Sequence, residues 1–445
     1  MDAIEKRVLE RIKPSDEEKI RLENTASYLM KRAKELAIEN DISGAELQLV
    51  GSAARGTWIS GTHDLDIFIS FEPSLPRKKL EEYGLLIGRQ MAKEAESWEE
   101  GYAEHPYTKL KYSGFDVDIV PCYRVESAEN IISAVDRTPF HNLFIKEHIG
   151  GLENDVLLLK QFMKAGGVYG SELKTGGFSG YLTELLVIHY GSFEDVLQAA
   201  ASWKPGETIE MVKPKHGFED SMVVIDPTDP NRNVAAALTT DRFTQFISLS
   251  RDYLKSPVEN FFQKTEPIPM SDDEIINSFE RRNTGFVSIC FKTPDIVEDI
   301  LYPQLFKMQK SVELLLEQHD FRVIKTNVWA DEKSVLIAEL ENINLSNVRK
   351  HFGPPVWVQD HSEKFKEKHV NNSNTFSFYI EDGKYVAELP RRFSNAKDLL
   401  ESELHNCALG KHIKKSIQEG YVILSGKEIL QIEEEGYRSQ LREFL

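Results

Sequence analysis

Cysteine is scarce in this chain: three residues in 445, Cys122, Cys290 and Cys407, far apart and without a C-x-x-C pair. Disulfide frameworks and thiolate zinc sites are therefore disfavoured. Long apolar runs are missing too. No stretch of eighteen apolar residues occurs, and the opening MDAIEKRVLERIK has no signal-peptide pattern. No membrane span is expected, and a cytoplasmic location is. The pattern G-x-x-x-x-G-K-[ST] is absent, so nothing supports a P-loop NTPase. Positive charge is in deficit, with 54 Lys and Arg against 72 Asp and Glu, a net −18. Bulk attraction does not coat such a chain in nucleic acid. A local basic groove stays compatible, because steering depends on where the charge lies.

The remaining composition, 41% hydrophobic and 28% charged, describes a globular chain too long for one ordinary core. Ser15-Asp16-Glu17-Glu18 is a capping-box pattern, and Ile20, Ala26, Leu29, Ala33 and Leu36 continue it as an amphipathic helix over 15–40. A short strand is expected at 47–50, a helix at 77–97, and strands at 108–112 and 115–122. Residues 151–262 read as mainly helical, interrupted at Lys204-Pro205-Gly206 and Asp226-Pro227-Thr228-Asp229-Pro230. From 267 onward, β-branched and aromatic runs alternate with helices, and Gly353-Pro354-Pro355 reads as a loop. The fold class is α+β and multidomain.

The most informative stretch is Gly51 to Phe71, GSAARGTWISGTHDLDIFISF. Asp64 and Asp66 stand one residue apart at the head of a β-type run, so both project to one face. Gly51 and Ser52 follow a short strand and open a helical turn, whose N–H groups suit a phosphate. A third carboxylate is needed to hold two divalent ions for phosphoryl chemistry. Phe115-Asp116-Val117-Asp118-Ile119 supplies it as Asp118, with Asp116 of the same parity as the competitor. A D-x-D pair alone also describes a solvated strand end; the upstream GS and the second acidic strand argue for a site. Oxygen-only ligands favour Mg²⁺.

GSAARGTWISGTHDLDIF resembles the signature of the DNA polymerase beta-type nucleotidyltransferase superfamily. Arg137-Thr138-Pro139-Phe140-His141, Asp118-Ile119-Val120-Pro121-Cys122-Tyr123 and Asp229-Pro230-Asn231-Arg232-Asn233-Val234-Ala235 narrow it, being similar to segments of the archaeal (class I) CCA-adding enzymes. The resemblance implies a polymerase beta-like palm over 1–145 and a helical domain over 146–264. It further implies an α+β body at 265–310 and 391–445, with a tRNA-binding tail at 311–390 that includes an RRM-like unit. It implies addition of the 3′-terminal CCA to tRNA from CTP and ATP, with two Mg²⁺ ions, and a homodimer. Asp64, Asp66 and Asp118 would be the catalytic, metal-binding acids; the family often has Glu where this chain has Asp64. Gly51, Ser52 and Arg55 would hold the triphosphate, with His141, Lys160 and Tyr169 lining its pocket. Arg232 would read the base edge of CTP or ATP together with RNA phosphates. Glu104 and His105 match a family loop near the primer end.

Contact with the acceptor and TΨC arms of tRNA has to come from basic islands: Lys213–His216, Lys364–His369, Arg391-Arg392 and Lys411–Lys415. Duplex RNA is recognised largely by shape, which suits an enzyme that accepts every tRNA. The alternatives are a poly(A) polymerase, a small-molecule nucleotidyltransferase of the same superfamily, or a catalytically inactive RNA-binding relative. The intact Asp118 argues against the last.

Overall fold

The computed structural model describes residues 2–102 and 104–445, which divide into two compact units, residues 1–265 and 266–445. The first unit opens with α1 (Ala3–Ile12) and α2 (Asp16–Glu39). The capping box read at Ser15 is present: its hydroxyl accepts from the Glu18 N–H, and Glu18 reaches back to the Ser15 N–H. There follow β1 (Glu46–Val50), the helical turn α3 (Gly51–Arg55), β2 (Asp64–Phe71), α4 (Arg77–Met91), β3 (Ser97–Tyr102), β4 (Pro106–Tyr112) and β5 (Phe115–Tyr123). These strands form one sheet in the order β1-β2-β5-β4-β3, with β2 and β5 parallel.

Alternation in β2 and β5 decides which face is which. Leu65, Ile67, Ile69 and Phe71 of β2, with Val117 and Ile119 of β5, pack under Leu29 and Leu36 of α2 and Ile87 and Met91 of α4. Each such buried side chain contributes roughly 1.5–3 kcal/mol. The even-numbered residues, the acids among them, are left on the opposite face.

The helix expected over 77–97 stops at Met91, apart from one 3-10 turn, and the chain re-enters the sheet as β3. Two glycines let α4 lie close to the sheet. A Cβ on Gly84 would stand 2.6 Å from Pro121 Cγ, and one on Gly88 only 2.1 Å from Thr108 Oγ1.

Helices then dominate: α5 (Thr138–His148), α6 (Glu153–Ala165), α7 (Gly180–Tyr190), α8 (Phe193–Ala200) and α9 (Thr240–Lys255). Their core joins Leu158 and Phe162, Leu185 and Leu186, Phe193 and Phe246, and it includes Val8 and Ile12 of α1. Between α8 and α9 the structure adds β6 (Glu207–Ile209), β7 (Met222–Asp226) and β8 (Asp229–Asn233), which the Pro and Gly interruptions concealed.

The second unit contains α10 (Asp272–Arg282), β9 (Gly285–Lys292), α11 (Glu298–Gln318), β10 (Val323–Ala330), β11 (Lys333–Leu340), β12 (Val348–Pro355), α12 (Gln359–His369), β13 (Ser377–Glu381), β14 (Lys384–Pro390), α13 (Ala396–Glu403), α14 (Lys411–Glu419), β15 (Tyr421–Ser425) and α15 (Glu435–Phe444). One sheet runs β10-β11-β9-β15 and another β12-β14-β13. Residues 323–340, grouped with the tail on sequence, thus share a sheet with the flanking β9 and β15. Gly353-Pro354-Pro355, read as a loop, ends strand β12.

The close approach of α4 gives a direct test. Gly88→Val should overpack the helix–sheet contact by about 1–3 kcal/mol, lowering the melting temperature of the first unit in calorimetry by several degrees. An unchanged melting curve would contradict the packing.

Candidate active site

In-register pairing of β2 with β5 sets Asp64 beside Asp116 and Asp66 beside Asp118. Four carboxylates therefore share one face of two neighbouring strands. Asp66 and Asp118 are half-buried, and Asp116 is exposed. Burial, then the charges of Asp118 and Asp64, push Asp66 up to about 6. Burial pushes Asp118 up to about 6 as well, against the pull of Lys109, the residue opposite it on β4. Crowded like charges in a half-dry site disfavour ionisation.

Backbone geometry at the preceding turn is fitted to the same acids. Gly51 has φ +75°, and a Cβ there would fall 1.9 Å from Asp66 Oδ2. Only glycine allows both the left-handed conformation and the approach of that carboxylate. A cleft of about 540 Å³ opens beside the acids, lined by Asp64, Asp116, Asp118, Trp98, Lys109 and Lys111.

Oxygen donors of one charge, partly desolvated and open to a cleft, fit a hard divalent cation that also takes substrate oxygens and water. Among the described residues, no three His, Cys, Asp or Glu side chains are gathered closely enough to hold a metal ion by themselves, so an ion here would need substrate oxygens and water to complete its shell.

A second constellation surrounds Glu184 of α7, which is fully buried. Arg55 Nε donates to Glu184 Oε1 at 3.1 Å and its Nη2 lies 3.0 Å from Oε2. Lys160 Nζ donates to the Thr57 carbonyl at 2.9 Å and stands 3.4 Å from Glu184 Oε1. The Thr57 hydroxyl also donates to Glu184. Burial opposes the charge on Glu184, but Lys160 and Arg55 outweigh it and hold the carboxyl below its usual range. Lys160, expected to offer an open ammonium to a phosphate, instead lies 3% exposed with its head committed to Thr57 and Glu184. Ser52 is partly buried on the same turn as Gly51 and Arg55.

Tyr169 packs beside the start of α7, where a Cβ on Gly180 would meet its hydroxyl at 3.1 Å. Lys164, one helical turn after Lys160, lies 5.4 Å over the Tyr169 ring, and burial pushes its ammonium below the usual lysine range against the pull of Asp64.

The third constellation centres on Asp226, the last residue of β7. His141 Nε2 lies 2.9 Å from Asp226 Oδ2, and the imidazole stacks on Tyr181 with centroids 4.0 Å apart. Arg232, expected in a Pro/Asn loop, sits on strand β8 and donates from Nη1 to Asp226 Oδ2 at 2.9 Å. A cavity of about 390 Å³ adjoins it, lined by Arg137, Ser179, Phe218, Asn231 and Arg232 among others.

Three family profiles match in chain order: "Nucleotidyltransferase domain" over 29–141, "tRNA nucleotidyltransferase, second domain" over 154–263 and "CCA-adding enzyme, C-terminal domain" over 282–426. A CCA-adding enzyme of Methanosarcina barkeri is 51% identical over 442 residues, 98% of this chain and 97% of that protein. The chain belongs to the CCA-adding enzymes. A further CCA-adding enzyme, from Methanoregula boonei, is 42% identical over 96% of this chain and 92% of its own length. One from Halobacterium salinarum is 38% identical over 100% of this chain and 98% of its own.

In this CCA-adding enzyme, sequence reasoning missed Glu184, Asp226, Lys109 and Lys164. Glu184 had one signal, a single acid inside the apolar run Leu182–Val187. Lys164 had another, its i+4 spacing from Lys160 on one helix face. Glu104 is exposed, whereas His105 is buried against Tyr123, ring centroids 6.2 Å apart. Of the basic islands, Lys364, Lys366 and Lys368 are exposed on α12. Arg392 pairs with Glu403 at 2.7 Å, Arg391 with Asp320, and Lys215 with Glu129. Among the described residues, no helix is long and apolar enough to cross a membrane.

Glu184→Ala should leave Arg55 and Lys160 buried without their counter-ion. The cost is about 3–5 kcal/mol, read as a large fall in melting temperature. A melting temperature within a degree of the parent would show that the cluster is not a buried ion network.

Proposed function

We propose that this enzyme adds the 3′-terminal CCA to tRNA from CTP and ATP, without a nucleic-acid template. The observation that carries the reading is the in-register pairing of Asp66 with Asp118, in a chain whose relatives along its whole length are named CCA-adding enzymes.

In this reading the RNA 3′-oxygen attacks the α-phosphorus of the nucleotide. The bond from that phosphorus to the bridging oxygen breaks, and pyrophosphate leaves. A pair of Mg²⁺ ions held by Asp64, Asp66 and Asp118 would supply charge stabilisation at the attacking and departing oxygens. Asp118, which lines the cleft, would receive the proton of the 3′-hydroxyl.

The chain's own residues then orient the nucleotide. Gly51 and Ser52 present the turn to the phosphates. Arg55 and Lys160, two cations facing the single anion Glu184, bias that end of the site toward a polyphosphate, with His141 and Tyr169 completing its wall. Arg232 reads the base. The ring nitrogen of cytosine or adenine beside the exocyclic amine accepts a hydrogen bond, whereas uracil and guanine carry N–H there. A guanidinium, which only donates, favours the first pair and is repelled by the second.

Support for tRNA as the acceptor comes from the family and from the exposed lysines of α12. A homodimer and the division of the second unit into body and tail rest on the resemblance, and a cytoplasmic location on the sequence pattern.

The test is incubation of tRNA lacking CCA with Mg²⁺ and labelled nucleotides, product length being read on a gel. CTP alone should add two residues, and ATP should then add one and stop. A long homopolymer, or no addition, would refute the reading.

A further inference from the structure

The segment Asp226-Pro227-Thr228-Asp229-Pro230 reads in sequence as a Pro-rich interruption, yet the structure makes it a tight β7–β8 connection with a buried acid at each side. Asp226 is 0% exposed and Asp229 2%. Asp229 holds Arg137, Nε to Oδ2 at 3.0 Å, and Asp226 holds Arg232. Both arginines line the same cavity of about 390 Å³.

The two oxygens of Asp226 divide their work. Oδ1 accepts from the Tyr181 hydroxyl at 3.1 Å and from the Thr228 N–H and hydroxyl at 2.9 and 2.8 Å. Those bonds fix the carboxylate against its own turn and against α7. Oδ2 faces His141 and Arg232, each at 2.9 Å. One oxygen thus ties a residue of the triphosphate wall to the base-reading arginine.

Arg232 spends one N–H on Asp226 and keeps 34% of its side chain exposed. Its other donors are free to meet a base, but their direction is set by the bond to Oδ2. Without that bond the guanidinium is a mobile cation on a flexible stem, able to swing toward the carbonyl oxygen of uracil or guanine.

We propose that Asp226 is a positioning residue for nucleotide choice, holding Arg232 in the one orientation that accepts cytosine and adenine and rejects uracil and guanine. The proposal rests on the base-reading role of Arg232. It requires an ionised Asp226. Burial opposes this, but the hydrogen bonds from His141 and Thr228 prevail and keep the carboxyl well below the ordinary carboxylate range.

The experiment measures kcat/KM for CTP against UTP on tRNA lacking CCA, and for ATP against GTP on tRNA ending in CC. The full-length enzyme is compared with Asp226→Asn, Asp226→Glu, Arg232→Ala and the double variant Asp226→Asn/Arg232→Ala. Ratios cancel the fraction of enzyme that is folded, so a merely structural role of Asp226 leaves them unmoved. Asp226→Asn should lower both ratios by about tenfold or more, and should add nothing in the Arg232→Ala background, because the two act as one unit. Asp226→Glu keeps the charge but displaces it, and should lose less; it decides the matter if Asp226→Asn does not fold. Ratios of wild-type size in Asp226→Asn or, where that does not fold, in Asp226→Glu, with Arg232→Ala impaired, would overturn the positioning role and leave the base-reading role standing. Wild-type ratios in Arg232→Ala would overturn both.

Discussion

Repulsion among Asp64, Asp66, Asp116 and Asp118 is the constraint around which the first unit is built. Parallel, in-register pairing of β2 and β5 leaves these acids no way to separate, since slipping by one residue would turn Ile67, Ile69 and Val117 to the open face. The apolar face therefore pins the acidic one. Gly51 completes the arrangement by yielding the space that the Asp66 carboxylate occupies. A chain that crowds anions in this way accepts a less stable free state in exchange for a site matched to cations and phosphates.

Two buried carboxylates answer those four crowded ones. Glu184 gathers Arg55 and Lys160, and Asp226 gathers His141 and Arg232, so four groups assigned to the nucleotide hang from two anchors. Removing Glu184 strands the buried charges of Arg55 and Lys160, and removing Asp226 leaves Arg232 without its counter-ion, whereas removing one surface ion pair such as Lys79–Glu82 changes little. In the proposed reading the two anchors preorganise the nucleotide pocket from behind, and cations fixed before substrate arrives need not be ordered afterwards.

Much of this was legible in the sequence where chemistry and periodicity coincide. Asp64 and Asp66 share parity, Asp118 lies in a matching β-type run, and Ser15 with Glu18 spelled out the cap of α2. What stayed hidden depends on partners distant in the chain. Glu184 meets Arg55 across 129 positions, and its one local signal, a lone acid in an apolar run, does not name that partner. The burial of Lys160, expected to line the triphosphate pocket, was hidden for the same reason, since Glu184 and Thr57 explain it. Strands β7 and β8 were masked by Asp-Pro turns, and Gly353-Pro354-Pro355 reads as a loop although it finishes β12. The family resemblance named Arg232 but not the acid behind it, since the Asp226–Arg232 contact is a product of the fold.

The central claim, that the paired acids carry an electrostatic cost a divalent cation relieves, is tested most directly by thermal melting with and without Mg²⁺. Folded-state values near 6 for Asp66 and Asp118 mean that at pH 7 both acids are ionised at a cost to the fold. In chelator at pH 7, Asp66→Asn should melt at or above the parent, because one of the repelling charges is gone. Added Mg²⁺ should raise the melting temperature of the parent by several degrees and that of Asp66→Asn scarcely at all. Equal stabilisation of the two proteins by Mg²⁺, or an Asp66→Asn variant that melts well below the parent in chelator, would contradict the account.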